Sequence, residues 1–189
     1  MPSKRQAIIE AAARLFYAHG YHAIGIDRII AEAGVAKMTM YKHFASKSEL
    51  IGAVLAERDM RFRESLFSFA KAFDGPLEKL NAIFTWHDRW LNDHAFNGCM
   101  FISAAAEYPE PGDEIHVISK RHKQAIQDYV TETLRAIAEE KVARRLGVQL
   151  LQVLDGALVM GLIFRDRNAA ITAWRTATAV LRAEGLIDS

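Results

Sequence analysis

The chain has 189 residues, of which 51% are hydrophobic and 25% are charged, a balance typical of a globular protein rather than a disordered one. No stretch reaches 18 uninterrupted apolar residues and the first residues lack an apolar signal-peptide core, so we expect neither a membrane partner nor secretion. The single cysteine, Cys99, leaves no intramolecular disulfide and is typical of a reducing cytoplasm.

Charge is distributed unevenly, although the formal net charge is only +1. Residues 1–48 carry seven Lys/Arg and three Asp/Glu, a net of +4, whereas the remaining residues carry a net of −3. A basic N-terminal segment (the head, residues 1–48) on an otherwise slightly acidic chain favours a polyanionic partner for that segment alone. An excess of four charges is weak evidence alone, and it supports a polyanionic partner only through the positions of the charged residues.

The spacing of apolar residues predicts helices throughout the chain and no alternating strand. Ser3 and Gln6 form a capping box that opens the first helix, and Gly20 ends it. Two short helices are predicted at about 26–33 and 37–44.

A second capping box, Ser46 with Glu49, opens a long helix that runs to about residue 69. The breaker at 74–76 and the loop at 109–113 divide the rest of the chain, in which we find no internal repeat or flexible linker. The remaining helices are predicted at about 76–93, 99–107, 114–138, 141–163 and 167–184.

Residues 26–44 have the pattern of a helix-turn-helix. Gly34 suits the left-handed conformation of a tight turn, and Val35 can insert into the core between the two helices. Met40 and Phe44, four residues apart, are predicted to point inward. The second helix then presents four side chains outward, where a major groove would offer base edges and phosphates: Thr39, Tyr41, Lys42 and His43.

Two further lysines flank this helix. Lys37 begins it and adds a phosphate contact, and Lys47 lies in the first turn of the next helix, where free backbone N–H groups favour an anion. The alternative is a generic helical hairpin with a solvated charged face, because this geometry also occurs as plain architecture.

A Gly-Tyr entry, an Ala-Gly-Val turn, a Tyr-x-x-Phe helix and a Lys-x-x-Leu helix start occur together within residues 20–50. They are carried by Gly20, Tyr21, Ile29, Ala33, Gly34, Val35, Tyr41, Phe44, Lys47 and Leu50. This combination resembles the DNA-binding signature of the TetR family of transcriptional regulators. The stretch 98–109 is similar to a subgroup of that family.

The resemblance implies an all-α fold with an N-terminal three-helix helix-turn-helix domain, residues 1–48, and a larger helical effector-binding and dimerisation domain, residues 49–189. It implies a ligand-responsive repressor that binds a palindromic double-stranded DNA operator as a homodimer and is released by a small-molecule effector. We expect no cofactor and no metal site, since the paired histidines are six or seven residues apart rather than three or four. We also expect no enzyme activity and no catalytic residue, because no base-and-orienter arrangement is visible for Cys99 as a nucleophile. A redox-responsive regulator that acts through Cys99 is the alternative.

The chain departs from the family pattern at several positions. Ile24 and Gly25 stand where Thr or Ser usually precedes the second helix, Ala36 replaces the turn Ser, and Ile30 replaces an Ala. Met38 replaces a frequent Gly, and its side chain could either touch base methyl groups or block close approach. The predicted DNA-binding set is Lys37, Met38, Thr39, Tyr41, Lys42, His43 and Lys47.

The last two predicted helices carry wide apolar surfaces. Because one recognition helix reads too few bases for useful specificity, we favour a four-helix interface between two subunits over an intramolecular core, which stays open. The predicted interface residues are Leu150, Leu154, Leu158, Gly161, Ile171, Trp174 and Leu181.

An aromatic group in the middle helices predicts an apolar effector site with a few polar atoms. Its candidate residues are Phe62, Phe84, Trp86, His87, Trp90, Phe101, Tyr129 and Asp155. Each of these side chains would serve equally well in a hydrophobic core. Asp155, among apolar neighbours, could instead cap a partner helix or pair with an arginine.

Overall fold

The computed structural model describes residues 3–188, which form nine α-helices and no strand. In chain order the helices are α1 (Lys4–His19), α2 (Ile26–Ala33), α3 (Lys37–His43), α4 (Lys47–Lys71), α5 (Pro76–Leu91), α6 (Met100–Glu107), α7 (Glu114–Leu134), α8 (Glu140–Phe164) and α9 (Ala169–Ala183). The all-α prediction is confirmed for this part of the chain.

The first capping box forms only in part. The Ser3 hydroxyl accepts a hydrogen bond from the backbone N–H of Gln6 at 3.2 Å, as predicted for a helix start. The Gln6 side chain does not return the bond, however, and instead donates to the carboxylates of Glu10 at 3.2 Å and Glu57 at 2.8 Å. It therefore ties α1 to α4.

The seventh helix ends earlier than predicted, at Leu134 rather than near residue 138. The guanidinium of Arg135 donates to both carboxylate oxygens of Glu140, at 2.6 and 3.0 Å, and so spans the turn between α7 and α8. The hydrogen bonds from Arg135 hold the pKa of Glu140 at about 2, well below its usual value. A charged pair thus marks a junction that has no Gly or Pro signal.

The described residues divide into two compact units. The first unit contains residues 3–61 and 99–122, and the second contains residues 62–98 and 123–188. Helices α4 and α7 each contribute to both. The first unit extends beyond residue 48 because α6 and the start of α7 belong to it, whereas the functional boundary at residue 48 stays a prediction.

The core of the helix-turn-helix lies among α1, α2 and α3. Ile8 and Phe16 on α1, Ile29 on α2, Met40 on α3 and Phe44 after it are all at most 2% exposed. Burial of such side chains contributes about 1.5–3 kcal/mol each. This core fixes which face of α3 remains on the surface.

Within the second unit α8 packs against α9, and α5 packs against both. The predicted interface residues at this packing are buried within the single chain: Leu150, Leu154, Leu158, Gly161 and Leu181. Trp174 packs against Phe84, with ring centroids 5.2 Å apart. The assignment of these leucines to a dimer interface therefore needs correction, because the intramolecular core already covers them.

The apolar surface that remains exposed on these two helices lies elsewhere. Met160, Ile163 and Phe164 are exposed at the end of α8, and Ile171, a predicted interface residue, is exposed on α9. Among the described helices, α8 is the one whose length and apolar composition would suffice to cross a membrane. Since a large part of its surface is buried against its neighbours, a core helix explains the same composition.

Candidate nucleic-acid interface

The turn between α2 and α3 has the geometry that the sequence predicts. Gly34 adopts the left-handed conformation with φ 63° and ψ 35°, and α3 begins after Ala36. Met40 and Phe44 point into the core, whereas Met38, Tyr41 and Lys42 are exposed. Thr39 and His43 are half-buried at the edges of the same surface. The predicted inward and outward faces of α3 are confirmed.

Positive charge surrounds this surface. Lys37 is exposed and its ammonium lies 3.3 Å from an Asp27 carboxylate oxygen, an exposed pair that costs little to exchange for another anion. The guanidinium of Arg5 lies 5.2 Å from the centre of the Phe44 ring, at the end of α3. Sequence reasoning missed Arg5, although its place beside Lys4 at the start of a basic segment was a usable signal. The start of α1 therefore adds to the charge beside α3.

Lys47 is held differently from the other predicted phosphate ligands. It is half-buried, and its ammonium donates to the backbone carbonyl oxygen of His22 at 3.4 Å. Burial lowers the pKa of Lys47, and the nearby charge of Glu107 opposes that change. Lys47 thus also fastens the start of α4 to the turn between α1 and α2.

The same turn is bound by a residue far away in sequence. The carboxylate of Glu107, at the end of α6, accepts hydrogen bonds from the backbone N–H groups of Tyr21, at 2.9 and 3.0 Å, and of His22, at 2.6 Å. Sequence reasoning missed this contact because 85 or more residues separate the partners and no local motif predicts it. The head is therefore joined to α6 as well as to α4.

Four of the predicted effector residues come together in the second unit. The ring centre of Phe62 lies 4.7 Å from Trp86, 5.8 Å from His87 and 5.4 Å from Trp90. His87 Nδ1 lies 2.8 Å from the Ile83 carbonyl oxygen, so that ring nitrogen carries the proton and donates. We call these four side chains the aromatic cluster.

The other four predicted effector residues lie in separate contacts: Phe84 with Trp174 at 5.2 Å, Tyr129 with Phe67 at 4.3 Å, Asp155 with Lys123 at 2.6 Å and Phe101 with His122 at 3.6 Å. Phe101 belongs to the first unit, not the second. The partner of Asp155 is a lysine of its own chain. A single site built from all eight residues stays a prediction.

Three cavities in the described part of the chain are lined by none of these eight residues. One of about 230 Å³ lies between α1 and α4 in the first unit, with Ile9, Val54 and Met100 on its apolar wall. One of about 570 Å³ lies between α7 and α8 with polar walls, and one of about 280 Å³ lies near residues 91–96 and 161–167. The rings of the aromatic cluster contact one another, with centroids 4.7–6.1 Å apart.

An exposed basic helix on a three-helix core, followed by a helical body, defines the class of helix-turn-helix DNA-binding transcriptional regulators. Residues 8–54 match the family model for bacterial regulatory proteins of the tetR family. The crystal structure of SCO4454, a TetR-family transcriptional regulator from Streptomyces coelicolor, has a TM-score of 0.90 to this chain, with 32% sequence identity over 95% of both chains. The chain belongs to the TetR family of transcriptional regulators.

Other relatives agree with this assignment. The regulator sav143 from Streptomyces avermitilis is 27% identical, with a TM-score of 0.87 over 96% of this chain and 98% of that one. The HTH-type transcriptional regulator YjdC of Escherichia coli is 31% identical over 105 residues, which are 56% of this chain and 54% of that protein. The chain thus spans about half the length of the first curated relatives that it matches.

Proposed function

We propose that this regulator is a cytoplasmic repressor that binds a palindromic double-stranded DNA operator as a homodimer and is released by a small-molecule effector. The observation that carries the proposal is the exposed face of α3, held on a buried core and surrounded by lysine and arginine. In this proposal Thr39 meets a base edge or a thymine methyl group. The remaining polar side chains suit phosphates: Lys37, Tyr41, Lys42, His43 and Lys47.

Truncation of the α3 face tests DNA recognition. Thr39→Ala and Tyr41→Ala are each expected to weaken operator binding by about 1–3 kcal/mol, because each removes a proposed contact with the operator. The measurement is a gel-shift titration on a duplex that the wild-type protein selects from a random library. Thr172→Ala, on the exposed surface of α9, is the matched control and should bind like the wild type. Unchanged binding by both α3 variants would refute these assignments.

Met38 offers a separate test of base contact. It is 81% exposed, and an apolar side chain in water gains free energy from contact with a thymine methyl group. Replacing the contacted thymine by uracil should weaken wild-type binding by about 0.8 kcal/mol, roughly four-fold. Met38→Ala should bind the two duplexes equally, whereas Met60→Ala should keep the difference. Tighter binding by Met38→Ala would instead mean that this side chain blocks close approach.

The proposed effector acts through its different affinities for two states of the dimer. A ligand that favours a state with the two heads at an unsuitable separation would release the operator. Helix α4, which runs from the first unit into the second, is the proposed lever. The half-buried rings of Trp86 and Trp90 support the aromatic cluster as the place where such a ligand enters.

Burial of Cys99 favours an effector over a thiol switch. Reactive cysteines are accessible thiolates, whereas Cys99 lies buried in the first unit at the start of α6. A redox-responsive regulator would need this segment to open before any oxidant could reach the sulfur. Operator affinity that is unchanged after treatment with a thiol-blocking reagent would support the effector proposal.

A further inference from the structure

Helix α6 contacts the turn between α1 and α2 at both of its ends. The Tyr21 hydroxyl, fully buried, donates to the carbonyl oxygen of Met100 at 2.9 Å, at the first residue of α6. At the last residue, the carboxylate of Glu107 accepts the N–H groups of Tyr21 and His22. His22 Nε2 also lies 2.9 Å from the Glu107 carbonyl oxygen, and since a carbonyl only accepts, this nitrogen donates.

The chain is built to let this carboxylate approach the backbone. Gly20 has φ 82°, a conformation that favours glycine, and a Cβ atom placed there would lie 2.8 Å from Oε1 of Glu107. A side chain at this position would therefore displace the carboxylate from the two N–H groups. The ring of His22 further stacks on Tyr108 at 4.7 Å, directly after Glu107.

The Glu107 carboxylate binds backbone N–H groups of the turn and not side chains of the helix-turn-helix core. The core around α3 is formed by Ile29, Met40 and Phe44, which pack on α1. Glu107 binds the backbone of the turn that leads into α2, and its charge also acts on Lys47 at the start of α4. Charge-assisted bonds to two adjacent N–H groups restrict the direction in which the chain leaves that turn. These hydrogen bonds should therefore affect the orientation of α2 and α3 more than the packing between them.

We propose that Glu107 is a positioning residue for operator binding, which holds α2 and α3 at the angle that a palindromic site requires. The inference rests on the proposed function of a dimeric DNA-binding regulator. A dimer binds both half-sites tightly only if both heads are held in register, whereas one head on one half-site has no such requirement. Loosening the turn should therefore lower the affinity for the palindrome more than the affinity for a single half-site.

The experiment compares two duplexes: the palindrome that the wild-type protein selects from a random library, and the same duplex with one half scrambled. In Glu107→Gln an amide N–H₂ replaces one acceptor oxygen and faces a backbone donor. Affinity for the palindrome should fall at least ten-fold and affinity for the single half-site by less than three-fold. Glu110→Gln, an exposed carboxylate three residues further on, is the matched control and should leave both affinities unchanged.

A second variant tests the positioning role even if Glu107→Gln fails to fold. His22→Ala removes the donor to the Glu107 carbonyl and the stack on Tyr108, at an exposed position, and should lower palindrome affinity selectively by a smaller factor. An equal loss on both duplexes, or no loss on either, in both variants would overturn the positioning role. A wild-type protein that does not prefer the palindrome would contradict the proposed function itself, whatever the variants do.

Discussion

Replacing Tyr21 by alanine is expected to lower the free energy of unfolding by about 3–5 kcal/mol, the range for removing a fully buried ring. Tyr21 is 0% exposed, and its ring centre lies 5.2 Å from Phe16 and 6.3 Å from Tyr108. The substitution removes these contacts and also deprives the Met100 carbonyl of a donor. Urea denaturation followed by circular dichroism measures the change.

Tyr21→Phe separates the ring from its hydroxyl. Only the hydrogen bond to Met100 is lost, so the expected cost is about 0.5–1.5 kcal/mol. Tyr41→Ala is the matched control: its ring is exposed on α3, so the change in stability should stay within about 0.5 kcal/mol while DNA binding falls. Equal destabilisation by Tyr21→Ala and Tyr41→Ala would contradict the assignment of Tyr21 to the core.

The Tyr21 hydroxyl also predicts a dependence on pH. Burial raises its pKa far above the usual value of 10.0, and the nearby acidic groups Cys99 and Glu107 add to the effect. The folded protein therefore keeps this proton after the unfolded chain has lost it, so the contribution is fully present below pH 10 and declines above it. Tyr21→Phe should show a smaller loss of stability at alkaline pH than the wild type.

Local signals explain why so much of the fold could be predicted. The start of α1 at Ser3 and the turn at Gly34 depend on atoms within four residues, and the structure confirms both. The two faces of α3 likewise follow from helical spacing, which places Met40 and Phe44 on one side. Structural features that depend on residues close together in the chain can therefore be predicted from the sequence.

Contacts between distant segments could not be read in the same way. The bond from Glu107 to the turn after α1 joins residues that share no motif, and Phe101 lies in the first unit through a stack on His122. A run of aromatic residues along the sequence gives no information on which unit each ring joins. The aromatic cluster was predicted in part because Trp86, His87 and Trp90 share one helix.

The apolar helices α8 and α9 show a third limit. A wide apolar surface fits a core and an interface equally well, since both exclude water from the same side chains. The structure buries Leu150, Leu154 and Leu158 inside the protomer, so those positions carry no information about a partner. Only the apolar residues that remain exposed on the same helices can contribute to an interface.

We propose that these exposed residues form the dimer interface, with Ile163 and Phe164 at its centre. They are 62% and 71% exposed, and Met160 lies on the same helix face at i, i+3 and i+4 spacing. Ile171 on α9 adds a fourth exposed apolar side chain. Exposed apolar patches mark surfaces that bind another protein chain, and the proposed partner is a second copy of this one.

The double variant Ile163→Glu with Phe164→Glu should separate the dimer. Each side chain loses about 1.5–3 kcal/mol of burial, the new carboxylates resist desolvation, and a two-fold interface contains each change twice. The dimer dissociation constant should therefore rise more than about 100-fold, as measured by analytical ultracentrifugation. Met60→Glu places one such carboxylate at a 58% exposed methionine of the first unit and should leave the dimer intact.

The consequence for DNA binding follows from the same interface. The monomeric variant keeps α3 unchanged, so its affinity for a single half-site should match that of the wild type. Its affinity for the palindrome should fall towards the half-site value. Once the dimer is separated, the second head is no longer held near the second half-site when the first head binds. A variant that still sediments as a dimer and still prefers the palindrome would place the interface on another face of the chain.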